Sequence, residues 1–216
     1  MEFLEHLVRK SEIENKNTEY FNYRQPVKRP RQNRAEKYSY LSLNDKPFVT
    51  NYVVFDLETT GLNSAVNAIV EIGAVKVINN KVCDKFSHLV NPKQYIPGYL
   101  SSKIHITNDM VTGKPDIQKI LPKFLDYIGD LPLIAHNAPF DMGFMLKVCR
   151  DNGYEFNNGV IDTLYLSRKY LKECKKHNLA YLTDYFNIAL TNAHRAYYDA
   201  KATQEIYEII KKQIIN

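Results

Sequence analysis

From Tyr52 to Phe55 the chain is apolar, β-branched or aromatic without a break, and it then meets Asp56, Leu57 and Glu58. A run with no polar alternation fits a strand covered on both faces, so a strand is expected over 51–57. Similar runs predict a second strand over 68–78 and a third over 82–90. Asn79-Asn80-Lys81 between them has tight-turn composition, which makes the pair a hairpin. Pro92, Pro97 and Gly98 interrupt regular structure, and short helical structure is expected between Ser101 and Val111. Ile117, Ile120, Leu121, Phe124, Leu125 and Ile128 recur at helical spacing and predict a helix from Asp116 to Ile128. Leu131–Ala135 reads as a short buried strand. Pro139 suits the first turn of a helix running to Arg150, and Val160-Ile161 reads as a last strand. Further helices are expected from Asp162-Thr163, over 179–186, and at the C-terminus to about Ile214, with Ala202, Ile206, Ile209 and Ile210 as the buried face of the last. A strand meander followed by alternating helices and strands predicts an α/β layer with a mixed sheet.

The first fifty residues follow a different pattern. Phe3, Leu4, Leu7 and Val8 allow one or two turns of amphipathic helix, after which the chain is polar and broken by Pro26 and Pro30. Arg24, Lys28, Arg29, Arg31, Arg34 and Lys37 face only Glu36, and Tyr20, Phe21, Tyr23, Tyr38 and Tyr40 are interleaved or adjacent. Such a segment can stack bases and neutralise phosphates; it can equally be a solvated linker or a strap across the main domain. The expected organisation is an N-terminal extension over 1–50 and a compact domain over 51–216.

Length and composition narrow the class. With 216 residues, 44% hydrophobic and 25% charged, the chain has room for one sizeable core. It has no apolar run long enough for a membrane span and no signal-peptide pattern at Met1–His6, so a soluble, cytoplasmic protein with no membrane partner is expected. The three cysteines, Cys83, Cys149 and Cys174, are far apart and indicate neither a disulfide nor a zinc knuckle.

Asp56 and Glu58 stand two apart and therefore share a strand face. Ionised carboxylates in an apolar setting need a partner, and no Arg or Lys occurs in the fifteen residues after Glu58. A divalent metal satisfies both; a capping or solvated pair is the alternative. Thr59-Thr60-Gly61 then turns the chain beside the carboxylates. Asp141 and Asp199 stand in comparable settings, and His194 lies five residues before Asp199. Carboxylate oxygens suit Mg²⁺ or Mn²⁺ better than imidazole does, which casts His194 as a proton acceptor.

Three segments carry a family resemblance: Val54-Phe55-Asp56-Leu57-Glu58-Thr59-Thr60-Gly61-Leu62 with Ile69-Val70-Glu71-Ile72-Gly73-Ala74; His136-Asn137-Ala138-Pro139-Phe140-Asp141; and His194-Arg195-Ala196-Tyr197-Tyr198-Asp199-Ala200. Together with Ile161-Asp162-Thr163-Leu164, they resemble the DEDDh-type 3′→5′ exonucleases of the ribonuclease H-like superfamily. The nearest group includes the epsilon subunit of DNA polymerase III and the PolC-type exonuclease domain. The resemblance covers roughly 51–211. Arg195 stands where the sister group has its catalytic tyrosine. Lys103-Ile104-His105-Ile106-Thr107 lacks a glycine usual in the family, which leaves the shape of that loop open.

The resemblance implies a ribonuclease H-like mixed five-stranded sheet flanked by helices. It also implies two divalent cations, Mg²⁺ or Mn²⁺, held by Asp56, Glu58, Asp141 and Asp199. Asp56 would bridge the two ions, and His194 would deprotonate the attacking water; activity is expected to fail below about pH 6. Thr59, Thr60, Gly61 and Leu62 would line the pocket of the terminal nucleotide, with Phe140, His136 and Asn137 beside it. An ordinary turn and core packing are the other readings of these residues. Asp162 reads as a helix N-cap. Expected partners are single-stranded 3′ ends, DNA before RNA, and a DNA polymerase in trans. RNA trimming of the RNase T or oligoribonuclease type, and a binding or polymerase-tethering module with an incidental nuclease site, are the rivals.

Overall fold

The computed structural model describes residues 39–41 and 48–215; the expected helix near Phe3–Val8 and the basic stretch 24–37 lie outside the described residues. Five strands form one sheet: β1 (Tyr52–Thr59), β2 (Ile69–Ile78), β3 (Lys81–Leu89), β4 (Leu133–Ala135) and β5 (Val160–Asp162), in the order β3-β2-β1-β4-β5. β1, β2 and β3 are antiparallel neighbours, whereas β4 and β5 run parallel to β1. The mixed α/β layer expected from the sequence is therefore present. The β2–β3 hairpin turns on Asn79 (φ 51°) and Asn80 (φ 61°). Two successive left-handed residues match the twist of a tight hairpin, and asparagine tolerates that region.

Seven helices are described: α1 (Gly98–Ile104), α2 (Asn108–Val111), α3 (Ile117–Ile128), α4 (Ala138–Asp151), α5 (Thr163–Tyr170), α6 (Leu179–Tyr185) and α7 (Ala196–Ile215). The helical stretch expected between Ser101 and Val111 starts earlier and splits in two at His105. This residue takes the left-handed conformation at the C-cap of α1 (φ 56°). The loop without the family glycine thus closes with a non-glycine residue in αL, tied by Ser101 Oγ to the Ile106 carbonyl at 2.8 Å.

Strand alternation sends the side chains of β1 to two cores. Val53, Phe55 and Leu57 pack with Ile120, Leu121 and Phe124 of α3 and with Met142 and Met145 of α4. Tyr52 and Val54 pack on the other face with Ile206, Tyr207 and Ile210 of α7. Asp56 and Glu58 have the parity of Val54 and so point to the α7 side. A smaller cluster of Val70, Ile96, Ile104, Ile106 and Val111 fastens α1 and α2 to β2.

Described residues before Asn51 also touch this body. Tyr40 bridges Val160 in parallel, and the Val49 N–H donates to Tyr207 Oη at 2.8 Å. Among the described residues no helix is long and apolar enough to cross a membrane.

Candidate active site

Two residues that break the apolar pattern of β2, one acidic and one without a side chain, determine where α7 begins. Glu71 is the Cα partner of Glu58 across β1–β2, and Gly73 is the partner of Asp56. The Glu71 carboxylate, 1% exposed, accepts hydrogen bonds from Arg195 Nη2 at 2.8 Å, from Arg195 Nε at 3.1 Å and from the Ala196 N–H at 3.0 Å. Ala196 opens α7, so this carboxylate satisfies an orphan amide at a helix start and complements its positive end. At Gly73 a side-chain carbon would overlap the backbone of Ala196 and Tyr197. Only a hydrogen lets the helix lie this close to the strand.

The first turn of α7, held in this way, carries Asp199, which is 8% exposed. Its Oδ2 accepts the His194 N–H at 3.1 Å, and His194 itself adopts the left-handed region (φ 62°). That turn brings the exposed His194 ring back towards the sheet: a ring nitrogen of His194 and carboxylate oxygens of Glu58 and Asp199 all lie within 4.8 Å of one another. Asp141 enters from the opposite layer. Asn137 (φ 67°) reverses the chain after β4, a proline occupies the first turn of α4, and Asp141 follows in that turn. Its Oδ1 accepts the Leu57 N–H at 3.1 Å, between the two acids of β1.

These acids hold one another towards the protonated form. Burial raises Glu58 to about 8, reinforced first by Asp199 and then by Glu71 and Asp141. Burial raises Asp141 to about 8 and Asp199 to about 6. It also raises Asp56 well above the ordinary carboxylate range, with Asp141, Glu58 and Asp199 adding to the effect. Arg195 lies on Glu71, and Lys103 only partly offsets the shift at Glu58. A buried, oxygen-rich set of like charges therefore fits a hard divalent cation. Burial lowers the pKa of His194, helped by the charges of Lys103 and His105. The ring accordingly stays neutral to lower pH than a free imidazole would.

The remaining sequence-predicted residues divide by what they touch. The Thr59 hydroxyl donates to the Gly61 carbonyl at 2.7 Å, and the Thr60 hydroxyl donates to Gln94 Oε1 at 2.5 Å and accepts the Ala68 N–H at 3.0 Å. Both hydroxyls are engaged in shaping the turn. A side chain at Gly61 would collide with Asn67. Leu62, 85% exposed, projects from this turn. Phe140 is half-buried, with its ring centroid 5.3 Å from that of Phe144. His136 Nδ1 pairs with Thr163 Oγ1 at 3.0 Å. The Asn137 N–H donates to Asp162 Oδ1 at 3.0 Å, which also accepts the Leu164 N–H at 2.9 Å. Asp162 is thus the N-cap of α5 and at the same time a tether for the loop leading to Asp141.

Sequence reasoning gave no role to Glu71, Gly73, Lys103 or His105. For the first two a signal was present: an acid and a glycine inside Ile69-Val70-Glu71-Ile72-Gly73-Ala74 have no place in an ordinary buried strand.

Comparison with known proteins agrees with this geometry. The exonuclease (RNase T) family model matches residues 53–207. A PolC-type DNA polymerase III from Clostridium perfringens is 42% identical over 184 residues, 81% of this chain and 13% of the relative. One from Staphylococcus aureus is 44% identical over 162 residues, 72% of this chain and 11% of the relative. The chain thus spans only about an eighth of the length of these relatives. Among solved structures, Exonuclease X in complex with 5′ overhanging duplex DNA aligns at TM-score 0.61 and 29% identity, covering 76% of this chain and 93% of the other. E. coli Exonuclease I with a dT13 oligonucleotide shares the fold at TM-score 0.67 and 17% identity, over 76% of this chain and 42% of that one. A family match across most of the chain, on a fold that gathers the motif acids at one end of the sheet, shows that the chain belongs to the exonuclease family, as a DEDDh nuclease of the ribonuclease H-like superfamily.

Proposed function

We propose that this chain is a metal-dependent 3′→5′ exonuclease that releases nucleoside 5′-monophosphates from DNA 3′ ends, in a proofreading or repair setting in the cytoplasm. The observation that carries the proposal is the meeting of Glu58, Asp199 and the His194 ring within 4.8 Å, with Asp56 and Asp141 at the same electrostatic centre. Asp56, Glu58, Asp141 and Asp199 would hold the divalent cations. Mg²⁺ or Mn²⁺, when bound, would neutralise charge on the phosphate and make water more acidic. His194 keeps a neutral ring beside Glu58 and Asp199 and takes the proton of the attacking water. The rigid turn Thr59–Gly61 sets the floor for the terminal nucleotide, Leu62 projects against its base, and Phe140 borders it. His136 and Asn137 shape that pocket from behind, through Thr163 and Asp162. The PolC-type relatives and the DNA complex of Exonuclease X support DNA as the substrate, with a polymerase as partner.

The test is a paired digestion of 5′-labelled single-stranded DNA and RNA of matched sequence, with and without Mg²⁺ or Mn²⁺, alongside Asp56→Ala. A metal-dependent 3′-shortening ladder on DNA, absent in the variant, is expected. A ladder on RNA alone would move the protein to RNA trimming. A ladder that persists without metal or in Asp56→Ala would overturn the assignment.

A further inference from the structure

The segment from Arg168 to Lys176 carries Arg168, Lys169, Lys172, Lys175 and Lys176, all exposed, against the single acid Glu173. A charge run is usually a solvated face, but this one is fastened to the core. Leu171 (0% exposed) and Cys174 (5% exposed) are buried with Leu182 and Ile161. The Leu171 N–H donates to the Ser167 carbonyl at 2.8 Å, and the Cys174 N–H to the Leu171 carbonyl at 3.2 Å. Asn178 caps the helix that follows, accepting the Tyr181 N–H at 2.9 Å. The cations therefore stand on a backbone that need not be ordered on binding, and Lys172 Nζ donates to the Arg168 carbonyl at 2.7 Å. Among the described residues Arg168, Lys172, Lys175 and Lys176 form no salt bridge.

The helix that leads into the segment is tied to the loop that precedes Asp141. Thr163, which opens α5, holds the His136 ring, while Asp162 joins the start of α5 to Asn137, four residues before Asp141. Arg168 lies about 8 Å further along the helix at 1.5 Å per residue. The field of Arg168 reaches both His136 and His177, and that of Lys172 reaches His177.

We propose that the cationic segment Arg168–Lys176 carries the phosphodiester backbone of the single strand on the 5′ side of the nucleotide being removed. Ordered cations leading away from a site that takes a strand end match a chain of phosphates in sign and in direction. The inference rests on the exonuclease reading above.

The test uses the full chain with Lys172→Gln, Lys175→Gln and Lys176→Gln combined. Two substrates are compared: a single-stranded oligothymidylate, and the p-nitrophenyl ester of thymidine 5′-monophosphate, which is too short to reach the segment. On the oligonucleotide KM should rise about tenfold or more with kcat little changed, and the slope of log affinity against log salt should flatten by about 2, at roughly 0.7 per lost phosphate contact. Hydrolysis of the small ester should be unchanged. Anisotropy binding of labelled oligothymidylate in an Asp56→Ala background reads the same salt slope without turnover, so it remains decisive even if the exonuclease reading fails. An unaltered slope and KM on the oligonucleotide would overturn the proposal, as would an equal loss on the small ester.

Discussion

Glu58 and Glu71 face each other across β1–β2 and project to the same side of the sheet, yet their surroundings have little in common. Glu71 is enclosed by a bidentate Arg195 and the first amide of α7. Glu58 meets Asp199, Asp141 and Asp56, opposed by Lys103, while the Arg195 guanidinium that bonds Glu71 reaches Glu58 through its field. The first is a finished ion pair that fixes a helix; the second is a charge deficit that a ligand must complete. Two glutamates on adjacent strands thus divide structure from chemistry, and the division is set by which one the guanidinium bonds.

Removing a carboxylate should therefore have opposite consequences on the two strands. Asp56→Asn should lower exonuclease activity by about 10³-fold or more, since several kcal/mol of transition-state charge stabilisation go with it. It should also raise the melting temperature of the metal-free protein by removing like-charge repulsion. Calorimetry and an end-labelled digestion read both, and a metal-free variant that melts earlier would break the contrast.

Glu71→Ala should instead destabilise the protein by about 3–5 kcal/mol, because it strands a partly buried guanidinium and a helix-start amide. At about 2–4 °C per kcal/mol this is a large fall in Tm. Urea titration measures it, and a loss under 1 kcal/mol would mean that Glu71 does not anchor α7. Gly73→Ala should fail in the same direction, since the new methyl group meets backbone.

The acidic cluster predicts a smaller effect of pH on the metal-free protein. Glu58 and Asp141 move from ordinary values of 4.5 and 3.8 to about 8 on folding. The folded state then binds protons that the unfolded chain releases near pH 4, so this contribution to stability is complete below pH 4 and declines as pH rises through about 8. Mg²⁺ or Mn²⁺ should raise Tm by several degrees at pH 8 and by much less at pH 5. Equal increments at both values would mean that the cations bind elsewhere.

The smallest expected change concerns Lys103, whose charge lowers the pKa of His194 and also that of Glu58. Lys103→Ala should move the acidic limb of kcat/KM to higher pH, and a pH–rate profile that stays in place would remove Lys103 from the site's electrostatics.

Much of this molecule was legible from the pattern alone. The unbroken apolar run into Asp56 marked β1, the i, i+2 spacing put Asp56 and Glu58 on one face, and Asn79-Asn80 marked the hairpin. These features depend on neighbours in the chain, where strand parity and turn chemistry act. The split at His105 was not legible, because its left-handed conformation is imposed by the packing of Ile104 and Ile106 into a shared cluster. The fifteen residues free of Arg and Lys after Glu58 leave the β1 acids no cation nearby in the chain, but Arg195, 124 positions from Glu71, was out of view. By itself the sequence determined the strands, the facing of the two β1 acids and the motifs that name the family. Only the tertiary structure decided which glutamate is neutralised, how closely α7 lies on Gly73, and that the helix leading into a basic segment is joined through Asp162 to the loop that precedes Asp141. Those outcomes depend on distances between groups far apart in the chain, and such distances exist only once the sheet and helices have packed.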